Sequence, residues 1–105
     1  MEREFITPPD HFGFRAAKLF GAQGELLDGS LAVIEPGGGG PRPAHTHPQR
    51  DHLFYVISGE MRIQSGDETT LVRAGEYCRV PGALPHTTDN PGDCAAEVLG
   101  LTLGG

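Results

Sequence analysis

Residues 39 to 59 read GGPRPAHTHPQRDHLFYVISG, and the reading of this stretch decides what kind of protein the chain makes. It opens on glycine and proline, the two residues least compatible with a helix interior. It closes on Leu53 to Ser58, a run of strong β-formers ended by Gly59. Between them stand His45, His47 and His52, three of the five histidines in the chain. His86 stands alone downstream. Neutral imidazole is the commonest protein ligand for mid-to-late first-row divalent metals. Histidines this dense fit neither core packing nor a solvated surface, and they read as a metal site.

Working outward from that stretch, Ser30 to Glu35 is a β-rich run bounded by glycine and proline. Glu60 to Gln64 alternates so that Met61 and Ile63 share one face, and Ser65-Gly66-Asp67 is a hairpin turn into Thr69 to Arg73. Tyr77 to Val80, His86 to Thr88 and Ala95 to Leu103 read as three more strands, and Phe14 to Phe20 fits one loosely. Gly37 to Gly40 with Pro41 and Pro43 reads as a loop that passes close to a ligand site, since glycine removes the side chain and proline stiffens the rest. A phosphate cradle is the weaker reading there, because no Lys-Ser or Lys-Thr follows. Short strands separated by regular turn signals imply an all-β sandwich or barrel. A jelly-roll barrel suits a chain this small, because closure limits exposed edges and leaves an interior for a site. Residues 1 to 13, with Pro8, Pro9 and Gly13, form an extended lead-in, and residues 14 to 105 form a single barrel domain.

Composition narrows the function. With 16 glycines and 9 prolines in 105 residues, turns and strands are favoured over helices. A net charge of -6 disfavours nucleic-acid or anionic-membrane partners, so small molecules are the expected ones. No apolar run approaches the roughly 20 residues of a membrane span. Met1 to Phe5 lacks the features of a signal peptide, which makes the expected location cytoplasmic. Cys78 and Cys94 read as small hydrophobes rather than as a disulfide or metal thiolates. His11, with no histidine near it in sequence, reads as a solvated loop residue.

If the segment around His45 and His47 is extended, the two rings share a face. Pro48 favours extension at His47. His52 begins the next strand, so Phe54, Val56 and Ser58 share its face while Asp51, Leu53, Tyr55 and Ile57 take the other. These positions resemble the cupin family. Gly39, His45, His47 and Gly59 match its first motif, G-x5-H-x-H-x4-E-x6-G, with His52 where the motif has glutamate. Gly75, Pro81, His86 and Asn90 match its second, G-x5-P-x-G-x2-H-x3-N, with Ala83 in place of a glycine, and the short gap between the motifs is that of small bacterial single-domain cupins.

The resemblance implies a small β-barrel holding one divalent transition metal per chain (Mn, Fe, Ni, Cu or Zn), with His45, His47 and His86 as ligands. Either His52 replaces the glutamate in a four-histidine site, the favoured reading, or three histidines hold the metal and His52 stands behind them. Four neutral imidazoles leave a divalent ion with a charge of about +2, against about +1 with a carboxylate, so the variant should draw anionic or enolate ligands more strongly. The competing reading is a metal-free barrel with satisfied polar histidines. Three functions stay open. One is an enzyme, dioxygenase-like first and an isomerase, lyase or cyclase next, acting on a small organic substrate with Tyr55, Tyr77 and Glu97 as the available acid–base groups. The second is a non-catalytic metal-dependent sensor of a small molecule or sugar, and the third a purely structural metal. Arg62 and Arg79 read as surface ion-pair residues before anion-binding ones. A homodimer is expected, with Glu2 to Phe20 adding to a sheet edge of the other subunit.

Overall fold

The computed structural model describes residues 4–104, and every element in it is a strand. The strands are β1 (Phe12–Phe20), β2 (Leu26–His45), β3 (Arg50–Ser58), β4 (Glu60–Ser65), β5 (Glu68–Arg73), β6 (Tyr77–Val80), β7 (His86–Asp89) and β8 (Ala96–Gly104). All pairings are antiparallel, in the order β5-β4-β7-β2-β8-β3-β6, with β1 laid against β2. No helix is long and apolar enough to cross a membrane among the described residues.

The organising element is β2, which runs for 20 residues and pairs with three strands, β1, β7 and β8. Its first half, Leu26 to Ile34, lies between β1 and β8, and its second half crosses over to pair with β7 from Gly39 to His45. The glycine-rich run expected as a loop is therefore strand. At Gly38 and Gly39 the close approach is to backbone. A Cβ at Gly39 would collide with the Thr88 carbonyl of β7, and one at Gly38 with the Gly13 carbonyl of β1. Only bare backbone lets three strands meet there.

Asn90 pins this crossover. It is fully buried, and its side-chain amide donates to the Ile34 carbonyl (2.9 Å) and the Cys94 carbonyl (2.8 Å), while its oxygen accepts from the Gly92 N–H (2.8 Å). Its backbone bonds both Gly37 and Gly38. A buried amide is tolerated when its polar atoms are paired in this way. On the far side, the Val56 N–H donates to the Glu76 carbonyl and the Gly75 N–H to the Val56 carbonyl, drawing the sheets together into a nearly closed jelly-roll barrel.

Alternation fills the interior. Val56 on β3, Met61 and Ile63 on β4, Val72 on β5, Val80 on β6, Val98 on β8 and Ile34 on β2 are all buried. Each such side chain stabilises the fold by about 1.5–3 kcal/mol relative to exposure. Gly66 and Asp67 make the expected two-residue hairpin turn between β4 and β5, with Gly66 at φ 57°.

The N-terminal region departs from expectation. The sequence leaves Glu2 to Phe20 without a partner in its own barrel, but within that segment Phe12 to Phe20 pairs along β2 as β1, and Ile6 bridges back to Ala16. These backbone groups are satisfied within one chain, so exchange with a second subunit is not needed to pair them. The first three residues of the lead-in and Gly105 lie outside the described residues.

Candidate metal centre

His52 is the third residue of β3 and His86 the first of β7, and His52 shares the inward face of Phe54 and Val56 as the alternation requires. His47 stands just past the end of β2, in the turn into β3. That turn is tied down at the backbone: the His47 N–H donates to the Gly82 carbonyl (2.7 Å) and the Arg50 N–H to the His47 carbonyl (3.0 Å). The three rings form a near-equilateral triangle, with centroids 5.2 Å apart for His47–His52 and for His47–His86 and 5.4 Å for His52–His86. One ring nitrogen from each lies within 4.8 Å of the others.

His45 goes elsewhere. β2 ends at His45, so His45 and His47 do not share a continuous strand and their rings diverge, with centroids 6.1 Å apart. The His45 Nε2 lies 3.1 Å from the Asp10 carboxylate. The structure thus gathers three of the four expected ligands and leaves the fourth beside them, held by the lead-in segment.

His11 is the residue that sequence reasoning missed. It is half-buried, not solvated, with its ring 4.6 Å from that of Phe14 and its Nδ1 2.8 Å from the Pro9 carbonyl. Gly40 makes room for it, since a Cβ there would press on the His11 ring. In consequence all five histidines of the chain line one cleft of about 400 Å³, with Phe14 and Phe54 among its walls. The only sequence signal for His11 was composition: a chain sparing with histidine places none outside this cleft.

Electrostatics keep these rings neutral. Burial lowers the pKa of His52 to about 4, helped by repulsion from protonated His86 and His47. Burial first and neighbouring imidazoles second also lower His86, offset in part by the Leu84 backbone. His47 is lowered by burial, by His45 and by Arg50. A neutral imidazole carries the lone pair that a metal needs. The unfolded chain takes up protons near pH 6.5, whereas folded His52 resists until about 4. Metal-free protein should therefore lose stability as the pH falls from about 6.5 toward 4. For His52 the loss is at most about 3 kcal/mol, and less after discounting for its part exposure. Urea unfolding in chelator at pH 7 and pH 4.5 checks this; equal stability at both would contradict it.

The donor set fits a metal on its own terms. His86 is 3% exposed, yet its Nδ1 has no hydrogen-bond partner. Three neutral imidazoles with ring nitrogens within 4.8 Å of one another, one of them buried with a nitrogen left unpaired, form a donor set that a divalent metal would satisfy. The His52 Nδ1 lies 3.4 Å from the Thr102 hydroxyl, a long contact that orients the ring.

Other candidate residues fall outside the cleft. Tyr55 and Tyr77 face out, opposite each other on β3 and β6, and Glu97 bonds the Ser58 hydroxyl at the surface. Asp51 faces away from the histidines, as alternation required. It accepts from the Gly82 N–H (3.1 Å) and from Arg79 (2.9 Å), and both hold its carboxyl below the usual range. Arg62 pairs with Asp89 through two bonds. Cys78 packs against the core, with burial raising its thiol pKa, and Cys94 is exposed; both are free.

The model of the Cupin_2 family, described as the cupin domain, matches residues 30–102, which takes in most of β2 through most of β8. The chain belongs to the cupin family. Among relatives, this cupin is 36% identical over 78 residues to "Germin-like protein subfamily 2 member 2" of Arabidopsis thaliana, covering 70% of this chain and 36% of the relative. It spans well under half the length of the curated relatives it matches. Among solved structures it resembles a predicted oxalate decarboxylase from Thermotoga maritima, with a TM-score of 0.82, 19% identity, and coverage of 97% of this chain and 91% of the other. It also resembles the Cupin_2 domain of an XRE family transcriptional regulator from Enterobacter cloacae, with a TM-score of 0.77, 18% identity, and coverage of 90% and 99%. At these identities the structural likenesses establish the fold alone.

Proposed function

We propose that this cupin binds one divalent transition metal per chain through His47, His52 and His86, with His45 as the fourth ligand once Asp10 releases it, and that it acts there on a small organic anion. The observation that carries this reading is the convergence of all five histidines on one cleft, three of them with ring nitrogens within 4.8 Å and one with an orphaned buried nitrogen. When bound, the metal supplies Lewis acidity or redox chemistry. The chain's own residues do the rest. Phe14 and Phe54 exclude water from one side of the cleft, and Pro8, Pro9 and His11 border it on another. Among the carboxylates, Asp10 holds His45.

Dioxygenase-like oxidation is the leading enzymatic reading. It is supported by the absence of Tyr55, Tyr77 and Glu97 from the cleft lining, which leaves few proton-transfer groups for isomerase or lyase chemistry. The other reading is a non-catalytic sensor, for which the same scarcity of acid–base groups speaks. Elemental analysis of protein purified without added metal should find about one redox-active ion per chain, with content falling in His52→Ala and on acidification to about pH 4, where His52 protonates. Full metal content in His52→Ala would remove His52 from the ligand set. Zinc in place of a redox-active ion would overturn the oxidase reading.

A cytoplasmic setting is supported by the two unpaired cysteines. The homodimer that we propose has support in the exposed Tyr55, Ile57 and Tyr77 on the outer face of β3 and β6. Sedimentation should give a dimer that Tyr77→Asp weakens; a monomer at micromolar concentration would rule it out.

A further inference from the structure

Next to the histidine cleft, and sharing Phe14, His52 and Phe54 with it as walls, the barrel keeps a second chamber of about 130 Å³. Its origin can be read row by row across the sheet. His52, Thr102 and Asp28 stand abreast on β3, β8 and β2, and the next inward row is Phe54, Gly100 and Ser30. The row beyond is Val56, Val98, Ala32 and Ala16. Gly100, Ala32 and Ala16 occupy inward positions where a barrel of this size would carry Leu, Ile or Val, and the chamber is the volume those side chains would have filled. Phe14, Ile34 and Met61 close it with apolar surface. The chamber opens to solvent, and covering its apolar walls with an apolar group is favourable, so a recess built from three small residues beside the site suits an occupant.

We propose that this chamber receives the apolar end of the ligand whose anionic head docks at the histidines, so that the substrate class is a small monocarboxylate or similar anion bearing one phenyl ring or a short alkyl chain. The inference rests on the metal reading above and deepens it. Size sets the tail, since a chamber of about 130 Å³ has room for one phenyl ring or a short alkyl chain. Polarity sets the orientation. The polar groups of the chamber are Asp28, Ser30 and Thr102, on the two rows nearest His52, and the deeper rows are apolar. Charge sets the selectivity, because the Asp28 carboxylate disfavours a second acid group on the tail. A bare dicarboxylate gains nothing from the chamber.

Two measurements separate the chamber from the metal. The first is ¹⁹F NMR of fluorobenzene titrated into chelator-treated protein. It should show one saturable site per chain, weakened in Gly100→Ala and lost in Ala32→Leu. The glycine variant guards against misfolding of the leucine one, because a Cβ at Gly100 meets the Phe54 ring at an ordinary 3.6 Å. The second is calorimetry of zinc-loaded protein with acetate, hexanoate, 3-phenylpropanoate and adipate. Hexanoate and 3-phenylpropanoate should bind at least about tenfold tighter than acetate, with the gain reduced in Gly100→Ala and adipate short of hexanoate. Carboxylate binding that ignores tail length, with no fluorobenzene site, overturns the chamber proposal and leaves the metal reading standing. Fluorobenzene binding without any carboxylate binding overturns the link to the histidines and so the proposal, while the zinc content of the loaded protein reports separately on the metal reading. Fluorobenzene binding unchanged in both variants places the probe elsewhere and overturns the proposal.

Discussion

Replacing His86 with alanine should lower zinc affinity by more than about 100-fold, beyond the 10–100-fold range for losing a group that merely orients a ligand. His86 has the most buried ring of the triangle, it comes from β7 while His52 comes from β3 and His47 from beyond the end of β2, and its Nδ1 has no hydrogen-bond partner. Without it the remaining two rings flank open space. The same substitution should leave the metal-free protein about as stable as wild type. The cavity created costs stability, but an unsatisfied buried nitrogen worth about 1–3 kcal/mol is removed along with it. Calorimetric titration with zinc and urea unfolding in chelator give the two numbers. A large loss of metal-free stability with unchanged zinc affinity would make His86 a structural residue and sink the proposed centre.

The second large effect is expected at Gly82, which touches no other histidine than His47. A Cβ there would collide with the carbonyl oxygens of both Arg50 and His47, and neither can yield, because they belong to the hydrogen-bonded turn that sets His47. The Gly82 N–H is also held by Asp51 (3.1 Å). Gly82→Ala should therefore cost about 3 kcal/mol, the upper range for overpacking, and should carry the metal site with it by displacing His47. Gly75→Ala is the useful control. Nothing lies within 4 Å of a Cβ there, so its cost comes only from φ of 85° and metal affinity should hold. If Gly82→Ala binds zinc like wild type, the turn does not position His47 as the structure implies.

Strand positions and faces could be read in the chain because local chemistry decides them. The β-formers from Leu53 to Ser58, the alternation at Met61 and Ile63, and the turn at Gly66-Asp67 each act over a few residues, and the structure places all three accordingly. The inward set His52, Phe54 and Val56 follows from the same two-residue period. The glycine-rich run reads as a loop but is strand, because glycine is permissive and a turn and a crowded strand crossing call for the same bare backbone. Nothing local distinguishes the two; Thr88 and Gly13, far away in sequence, do.

His45 shows the same division. Spacing alone puts it on the face of His47, but β2 ends there and Asp10, 35 positions earlier, is the carboxylate that meets its Nε2. His11 stood apart from every other histidine in sequence and yet closes the cleft, seated by the space that Gly40 leaves. The chamber behind His52 belongs to this class too, since Ala16, Ala32 and Gly100 are unremarkable until three strands bring them abreast. By itself, then, the sequence determined the all-β fold, the family and the identity of the imidazoles, because period, turn chemistry and motif spacing are local. Which of those imidazoles converge, what holds the fourth aside, and how much room lies beside them were decided only by the tertiary structure, because each depends on long-range strand register that no short stretch of sequence encodes.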